Sequence, residues 1–122
     1  EKKNILISER YIQAGLLLAN NDTDNSKKIY ENIIESKNKF YSILSLNTIL
    51  EKNLEKNQEK ILKYFSTVES VKLSKEQKEL LKFKKALYLI KISKNDEGKK
   101  ILKELEASDS NLKNLFKEIL DK

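Results

Sequence analysis

The fold is decided by a stretch near the start of the chain, residues 11–34, which reads YIQAGLLLANNDTDNSKKIYENII. Two apolar runs flank a polar centre, and within each run the apolar residues recur at spacings of three and four. This period belongs to one face of an α-helix, whereas alternation at two would indicate a strand. The polar side chains at 20–25 compete with the helical backbone and favour a turn. The stretch therefore predicts two antiparallel helices joined by a short connection.

Helical periodicity continues through the rest of the chain. Seven helices are predicted, at residues 4–20, 26–36, 38–52, 55–68, 74–94, 95–107 and 110–122. The fifth begins with a capping-box signature, because Ser74 precedes Gln77 by three residues and an apolar series follows. Proline is absent and the only glycines are Gly15 and Gly98, so nothing in the composition forbids long helices. The predicted fold class is all-α.

The helix pair recurs three times along the chain, with offsets of 32 and then 40 residues. Equivalent apolar positions align Tyr11 with Ile43 and Phe83, Ala14 with Leu46 and Ala86, Tyr30 with Leu62 and Leu102, and Ile33 with Phe65 and Leu105. Repeated helix pairs bury their apolar faces by stacking on their neighbours. We therefore expect a single domain over residues 1–122. It would be a right-handed α-solenoid of three antiparallel hairpins, at about 4–36, 38–68 and 74–107, with a C-terminal capping helix at about 110–122.

Two of the three blocks carry a motif with small residues. The first reads Tyr11-x-x-Ala14-Gly15-x-x-Leu18 and then Ser26-x-x-x-Tyr30, and the third reads Phe83-x-x-Ala86-Leu87-x-x-Ile90 and then Gly98-x-x-x-Leu102. This pattern resembles the tetratricopeptide repeat. The middle block keeps the apolar positions and lacks the small ones, and the closing proline of the family is absent. The resemblance implies a non-catalytic protein-interaction domain, a scaffold or adaptor.

A second resemblance covers about residues 24–122. It is carried by Ser36-Lys37-Asn38-Lys39-Phe40-Tyr41-x-x-Leu44-x-Leu46 and by Asn53-Leu54-Glu55-Lys56. These segments are similar to the periplasmic domain of the bacterial ancillary translocon-subunit family. That likeness implies an inner-membrane protein with an anchor upstream of Glu1, whose periplasmic side contacts the secretion channel and periplasmic chaperones. A cytoplasmic location is the alternative.

Charge and composition narrow the function classes. The 122 residues carry 25 Lys and Arg against 19 Asp and Glu, a formal charge of +6, and they include neither His nor Cys. The commonest general base, thiol nucleophile and transition-metal ligands are therefore missing, so we expect no enzyme and no cofactor. All but Arg10 of the basic residues are lysines, spread among glutamates, which is typical of a solvated helical surface. The alternative is a basic helical domain that binds nucleic acid or an anionic membrane.

Three kinds of short motif resemble metal or catalytic sites, but each has a simpler structural explanation. Residues 22–26 alternate oxygen ligands like a calcium loop, but Lys27 stands where the turn needs Gly and Ile33 where the bidentate Glu belongs. Two Ser-x-x-Lys matches lie at predicted helix ends, where capping explains them. The carboxylate pairs Glu31/Glu35 and Glu55/Glu59 have lysines nearby and are predicted to lie on solvated faces. No metal site is expected.

The predicted partner site lies on the first helix of each pair. Its residues are Ile12, Leu16, Tyr41, Leu44, Thr48, Lys84, Tyr88 and Lys91, which lie away from the packing columns. The aromatic residues Tyr11, Tyr30, Phe65 and Phe83 are assigned to the core instead. In a solenoid the first helices line a concave groove that binds partner segments, and Lys84 and Lys91 favour an acidic partner. Two alternatives remain open: the apolar side chains pack under a terminal helix, or they form a homodimer surface.

Overall fold

The computed structural model describes the backbone of residues 2–108 and the side chains of residues 6–108. Six helices span this range: α1 Lys2–Ala19, α2 Thr23–Glu35, α3 Lys39–Glu51, α4 Gln58–Glu69, α5 Lys75–Lys91 and α6 Asn95–Ala107. Residues 2–108 contain no strand, which confirms the all-α prediction for this part of the chain. None of the described helices has the length and hydropathy that a bilayer crossing needs. The predicted capping helix at 110–122 lies outside the described residues.

The chain divides into two compact units, Glu1–Lys72 and Leu73–Lys122. The first contains α1 to α4, and the second contains α5 and α6. The expectation of one domain over residues 1–122 stays a prediction.

Three predicted helix boundaries were wrong, each because of a local capping interaction. α2 begins at Thr23 rather than at residue 26, since the Asp22 carboxylate accepts the Asn25 N–H. α4 begins at Gln58 rather than at residue 55, since Asn57 is its cap and accepts the Lys60 N–H at 3.0 Å. α5 ends at Lys91 rather than at residue 94, since Ser93 adopts a left-handed conformation. The predicted capping box of Ser74 and Gln77 is confirmed.

The same turn ends the first helix of each repeated block. Asn21, Asn53 and Ser93, which the self-alignment makes equivalent, have φ of 65°, 52° and 69°. The N–H that follows each of them returns to a carbonyl in the preceding helix, from Asp22 to Leu17, from Leu54 to Ile49 and from Lys94 to Leu89, at 2.8–3.0 Å. This is the Schellman arrangement, here without its usual glycine. The sequence repeat therefore extends to the backbone of the three turns.

The core of the first unit is built around α2, which packs against α1, α3 and α4. The buried apolar residues of this core come from all four helices and include Ala14, Tyr30, Ile33, Ile34, Leu46, Ile49, Ile61, Tyr64, Phe65 and Val68. Two fully buried hydroxyls cross helix interfaces: Ser26 Oγ donates to the Ala14 carbonyl at 2.8 Å, and Ser42 Oγ donates to the Ile33 carbonyl at 3.1 Å. Such bonds let helices approach closely while their polar groups stay satisfied.

In the second unit α5 packs against α6 around a cluster of Ala86, Leu102 and Leu105. Gly98 lies where the two helices approach closely. A Cβ built on Gly98 would stand 2.7 Å from the Ala86 carbonyl oxygen, so a side chain there would push α6 away from α5.

The first and third helix pairs are built alike. Ser26 lies against Ala14 in one unit, and Gly98 lies against Ala86 at the aligned positions of the other. The middle pair differs, because α3 packs more extensively on α2 than on α4. Leu62, aligned with buried Tyr30 and Leu102, is only half-buried, and Tyr64 is buried in its place. The predicted equivalence of the three hairpins therefore weakens at α4.

Candidate functional site

The predicted site residues of the first unit lie on α1 and α3. Ile12 and Leu16, one helical turn apart on α1, are exposed for 61% and 62% of their surface. Tyr41, Leu44 and Thr48 on α3 are half-buried. We call these five residues, together with Phe40, the α1/α3 surface.

Contacting aromatic rings join the two helices of this surface. The Tyr11 ring centroid lies 5.7 Å from that of Tyr30 and 5.4 Å from that of Tyr41. Tyr41 in turn meets Phe40 edge-on at 4.9 Å. Ring pairs at these distances contribute beyond the burial of their area. The series runs from Tyr30, which is buried, to Phe40, which is 60% exposed, so the outer rings rest on a fixed core.

A helix cap sets the positions of the two outer rings. The Asn38 side chain accepts the N–H groups of Phe40 and Tyr41 at 3.1 and 2.9 Å, which holds both residues in the first turn of α3. Phe40 was not among the predicted site residues. The repeat alignment places it in register with Leu80, another exposed apolar residue, and that column is the signal that could have identified it.

Two of the four predicted core aromatics lie at the edge of the core. Tyr30 and Phe65 are buried as predicted, whereas Tyr11 and Phe83 are half-buried. Burial, and then the neighbouring Tyr11, raises the pKa of Tyr30, and the hydroxyls of Ser26 and Thr48 partly oppose that rise. Thr48 also donates to the Leu44 carbonyl at 3.0 Å. The Thr48 hydroxyl is therefore engaged within the unit, and its contribution to a partner contact would come from its methyl group.

The remaining predicted site residues, Lys84, Tyr88 and Lys91, belong to α5 in the second unit. Lys84 and Tyr88 are half-buried, and Lys91 is exposed. The exposed apolar residues Leu80 and Leu87 accompany them on the same helix.

A buried polar cluster lies where the sequence predicts solvated carboxylates. Only 8% of the Glu55 side chain is exposed, and its Oε1 lies 3.2 Å from Lys27 Nζ and 3.8 Å from Lys60 Nζ. The Tyr64 hydroxyl donates to Glu31 and lies 3.4 Å from Glu55 Oε1. The prediction of solvated faces was therefore wrong for Glu55. The groups meet because α4 packs on α2, which spacing within one helix does not reveal.

The charges in this cluster stabilise the contact between α2 and α4. Burial by itself raises the pKa of Glu55, but the Asn57 N–H and the ammonium groups of Lys27 and Lys60 outweigh it and leave that pKa below its ordinary value. Burial, and then the hydrogen bond to Glu31, raises the pKa of Tyr64. Glu55 thus stays charged and Tyr64 stays protonated at neutral pH, which suits the joining of α2 to α4.

The motifs that resemble chemical sites have structural partners. Asp22, in the calcium-like segment, caps α2, and Ser36 Oγ donates to the Ile33 carbonyl. Within the described part of the chain, no group of three or more acidic side chains could hold a metal ion. The second Ser-x-x-Lys match, at 110–113, lies outside that part.

Searches against protein-family models, curated proteins and solved structures gave no match for this chain.

Proposed function

We propose that the chain is a non-catalytic protein-interaction domain, in which the α1/α3 surface binds an apolar segment of a partner protein. The observation that supports this most strongly is the group of Ile12, Leu16 and Phe40, three large apolar side chains each about 60% exposed. Ile12 and Leu16 lie one turn apart on α1, and Phe40 lies on α3 beside Tyr41, whose ring contacts Tyr11 of α1. Several large exposed apolar side chains on two contacting helices favour an interaction site, whereas single ones are ordinary. The partner would be a helix or extended peptide lying along α1 and α3.

Burial of these side chains would supply useful binding energy. Removing a Leu, Ile or Phe side chain from water contributes about 1.5–3 kcal/mol when burial is complete. With about 60% of each side chain available, the three together offer roughly 3–5 kcal/mol before the entropic cost of association. Tyr11 and Tyr41 pack on the core through Tyr30, so the aromatic part of the site needs little ordering when a partner binds.

The wider architecture belongs to the same proposal. Matching turns at Asn21, Asn53 and Ser93 and matching close contacts at Ser26 and Gly98 support a tetratricopeptide-like array of helix pairs. The likeness to the ancillary translocon-subunit family suggests the soluble part of a membrane-anchored bacterial protein on the periplasmic side. Its partners would then be the secretion channel and periplasmic chaperones, and its role would be to assist secretion or envelope assembly.

A double substitution of the exposed α1 residues tests the proposed function. In affinity capture from native cells, Ile12→Ser with Leu16→Ser should reduce the captured partner by about twentyfold or more, because the two side chains together would contribute about 2–3.6 kcal/mol. Leu6→Ser is the matched control, because Leu6 is exposed on the same helix about 80° round from Leu16. Equal loss in both variants, or no loss in the double variant at unchanged helicity, would refute the surface.

A further inference from the structure

The exposed side of α5 carries a repeated pattern of leucine and lysine. Leu80 and Leu87 are exposed for 45% and 39% of their surface, and each is followed four residues later by a lysine, Lys84 or Lys91. Residues four and seven apart share one helix face. The four side chains therefore form a row about 16 Å long, which we call the α5 stripe.

The charge of α5 is strongly positive. This helix holds six lysines and two glutamates, so much of the net charge of the whole chain belongs to one element. Lys91, at the C-terminal end of the α5 stripe, is exposed, and the exposed Glu76 stands one turn before Leu80 at the other end. An acidic partner is complementary to the Lys91 end of the row, and a basic partner is repelled there.

The width of the α5 stripe favours a helix as its occupant. In a coiled coil, leucines seven residues apart repeat one seam position, and the residues four places after them, here Lys84 and Lys91, occupy the other, where charged residues specify the pairing. A membrane-surface helix needs a broad apolar face, because its binding scales with the apolar area that it buries. A second copy of α5 is disfavoured as well, because six lysines and two glutamates on each helix would bring two strongly positive elements together.

On the basis of the interaction role proposed above, we propose that the α5 stripe binds an acidic amphipathic helix of another protein. Leu80 and Leu87 pack between apolar residues of that helix at a seven-residue spacing. Lys91, the exposed lysine of the row, faces an Asp or Glu side chain of that helix. Glu76 at the opposite end repels an acidic residue, so the partner is bound in one orientation.

A designed peptide tests this assignment directly. The probe is a fluorescein-labelled helix of about three heptads with Leu at one seam position and Glu at the other, measured by fluorescence anisotropy. Lys91→Glu should weaken binding about tenfold, because one attraction becomes a repulsion. Lys99→Glu, the same charge change at an exposed position on α6, should weaken it less than twofold. A control peptide with Lys in place of Glu should prefer the Lys91→Glu variant.

Three results would overturn the assignment. They are failure of the acidic peptide to bind, equal weakening by Lys91→Glu and Lys99→Glu, and binding to phosphatidylglycerol vesicles with the same Lys91 dependence. The Ile12→Ser, Leu16→Ser protein separates this test from that of the α1/α3 surface, because it should bind the peptide like the wild type. Loss of peptide binding with intact partner capture would remove only the α5 assignment. The reverse result would remove only the α1/α3 surface.

Discussion

Replacement of Gly98 by alanine tests the close packing of α5 and α6. The new Cβ would lie 2.7 Å from both the Ala86 carbonyl oxygen and Ile90 Cγ1, whereas ordinary contacts begin at 3.4 Å. The helices must therefore separate by roughly 0.7 Å in a close-packed interior. Overpacking costs about 1–3 kcal/mol, and a clash with backbone favours the upper end. Alanine regains about 1 kcal/mol of helix propensity, so the expected net loss is about 2 kcal/mol.

Gly15→Ala is the matched control, since it makes the same change inside a helix without the clash. The nearest atom to its Cβ is the Tyr30 hydroxyl oxygen at 4.0 Å, an ordinary contact. Only the gain in helix propensity remains, so this variant should be about 0.5–1 kcal/mol more stable than the wild type. The two alanine variants thus differ in sign although their chemistry is identical.

Urea unfolding followed by circular dichroism measures both effects, and amide exchange in α5 and α6 locates the first. At about 4 °C per kcal/mol, Gly98→Ala should lower Tm by about 8 °C. Gly98→Ser, which copies Ser26 of the first unit, should also destabilise. A Gly98→Ala protein as stable as the wild type would refute the close approach of the helices and the account of the third pair.

Three further predictions concern the first unit. Ser45 Oγ is buried without a hydrogen-bond partner among the described residues, so Ser45→Ala should raise the free energy of unfolding by about 1 kcal/mol. Ser42→Ala should lower it by a similar amount, because this change breaks the hydrogen bond to the Ile33 carbonyl. Urea midpoints that shift in the same direction in both variants would contradict this prediction. Lys37 has a left-handed φ of 59°, so Lys37→Gly should raise the free energy of unfolding by about 0.5–1 kcal/mol. Lys28→Gly, the same change inside α2, should lower it by about 1 kcal/mol. Destabilisation in both variants would show that glycine relieves no backbone strain at position 37. Because folding lowers the pKa of Glu55, its stabilisation is present above the ordinary value near 4.5 and is lost as the pH falls through the folded value. The stability gap between wild type and Glu55→Gln should therefore narrow from about pH 6 to about pH 3, and a gap independent of pH would show that the carboxylate charge is not what stabilises.

Helix pairing was predictable because its determinants are local. Spacings of three and four placed all six described helices, and the capping box at Ser74 needs only the residue three positions later. The repeat alignment also located two close interhelix contacts, since Ser26 and Gly98 are the small residues that its motif requires. These features depend on neighbours within one helix pair.

The buried cluster could not be predicted, because its members come from distant parts of the chain. Lys27 and Glu55 are separated by 28 positions, and Glu31 and Tyr64 by 33. Spacing within a helix describes each glutamate only among its near neighbours, which are polar. α4 also differs from the helix that the repeat predicts, because it begins later and buries Tyr64 in place of Leu62. On the α1/α3 surface, helix phase predicted that Ile12 and Leu16 lie away from the core, and both are exposed. Phe40 was missed, although its alignment with the exposed Leu80 is visible in the sequence.

Photo-crosslinking from a single position tests the central claim that the α1/α3 surface receives a partner protein. A benzophenone side chain at Leu16 should form an adduct with one partner in native cells, and the same group at Lys28, an exposed position on α2, should form none. The adduct should disappear when Ile12→Ser is added. Equal adducts from both positions, or none from Leu16, would contradict the claim.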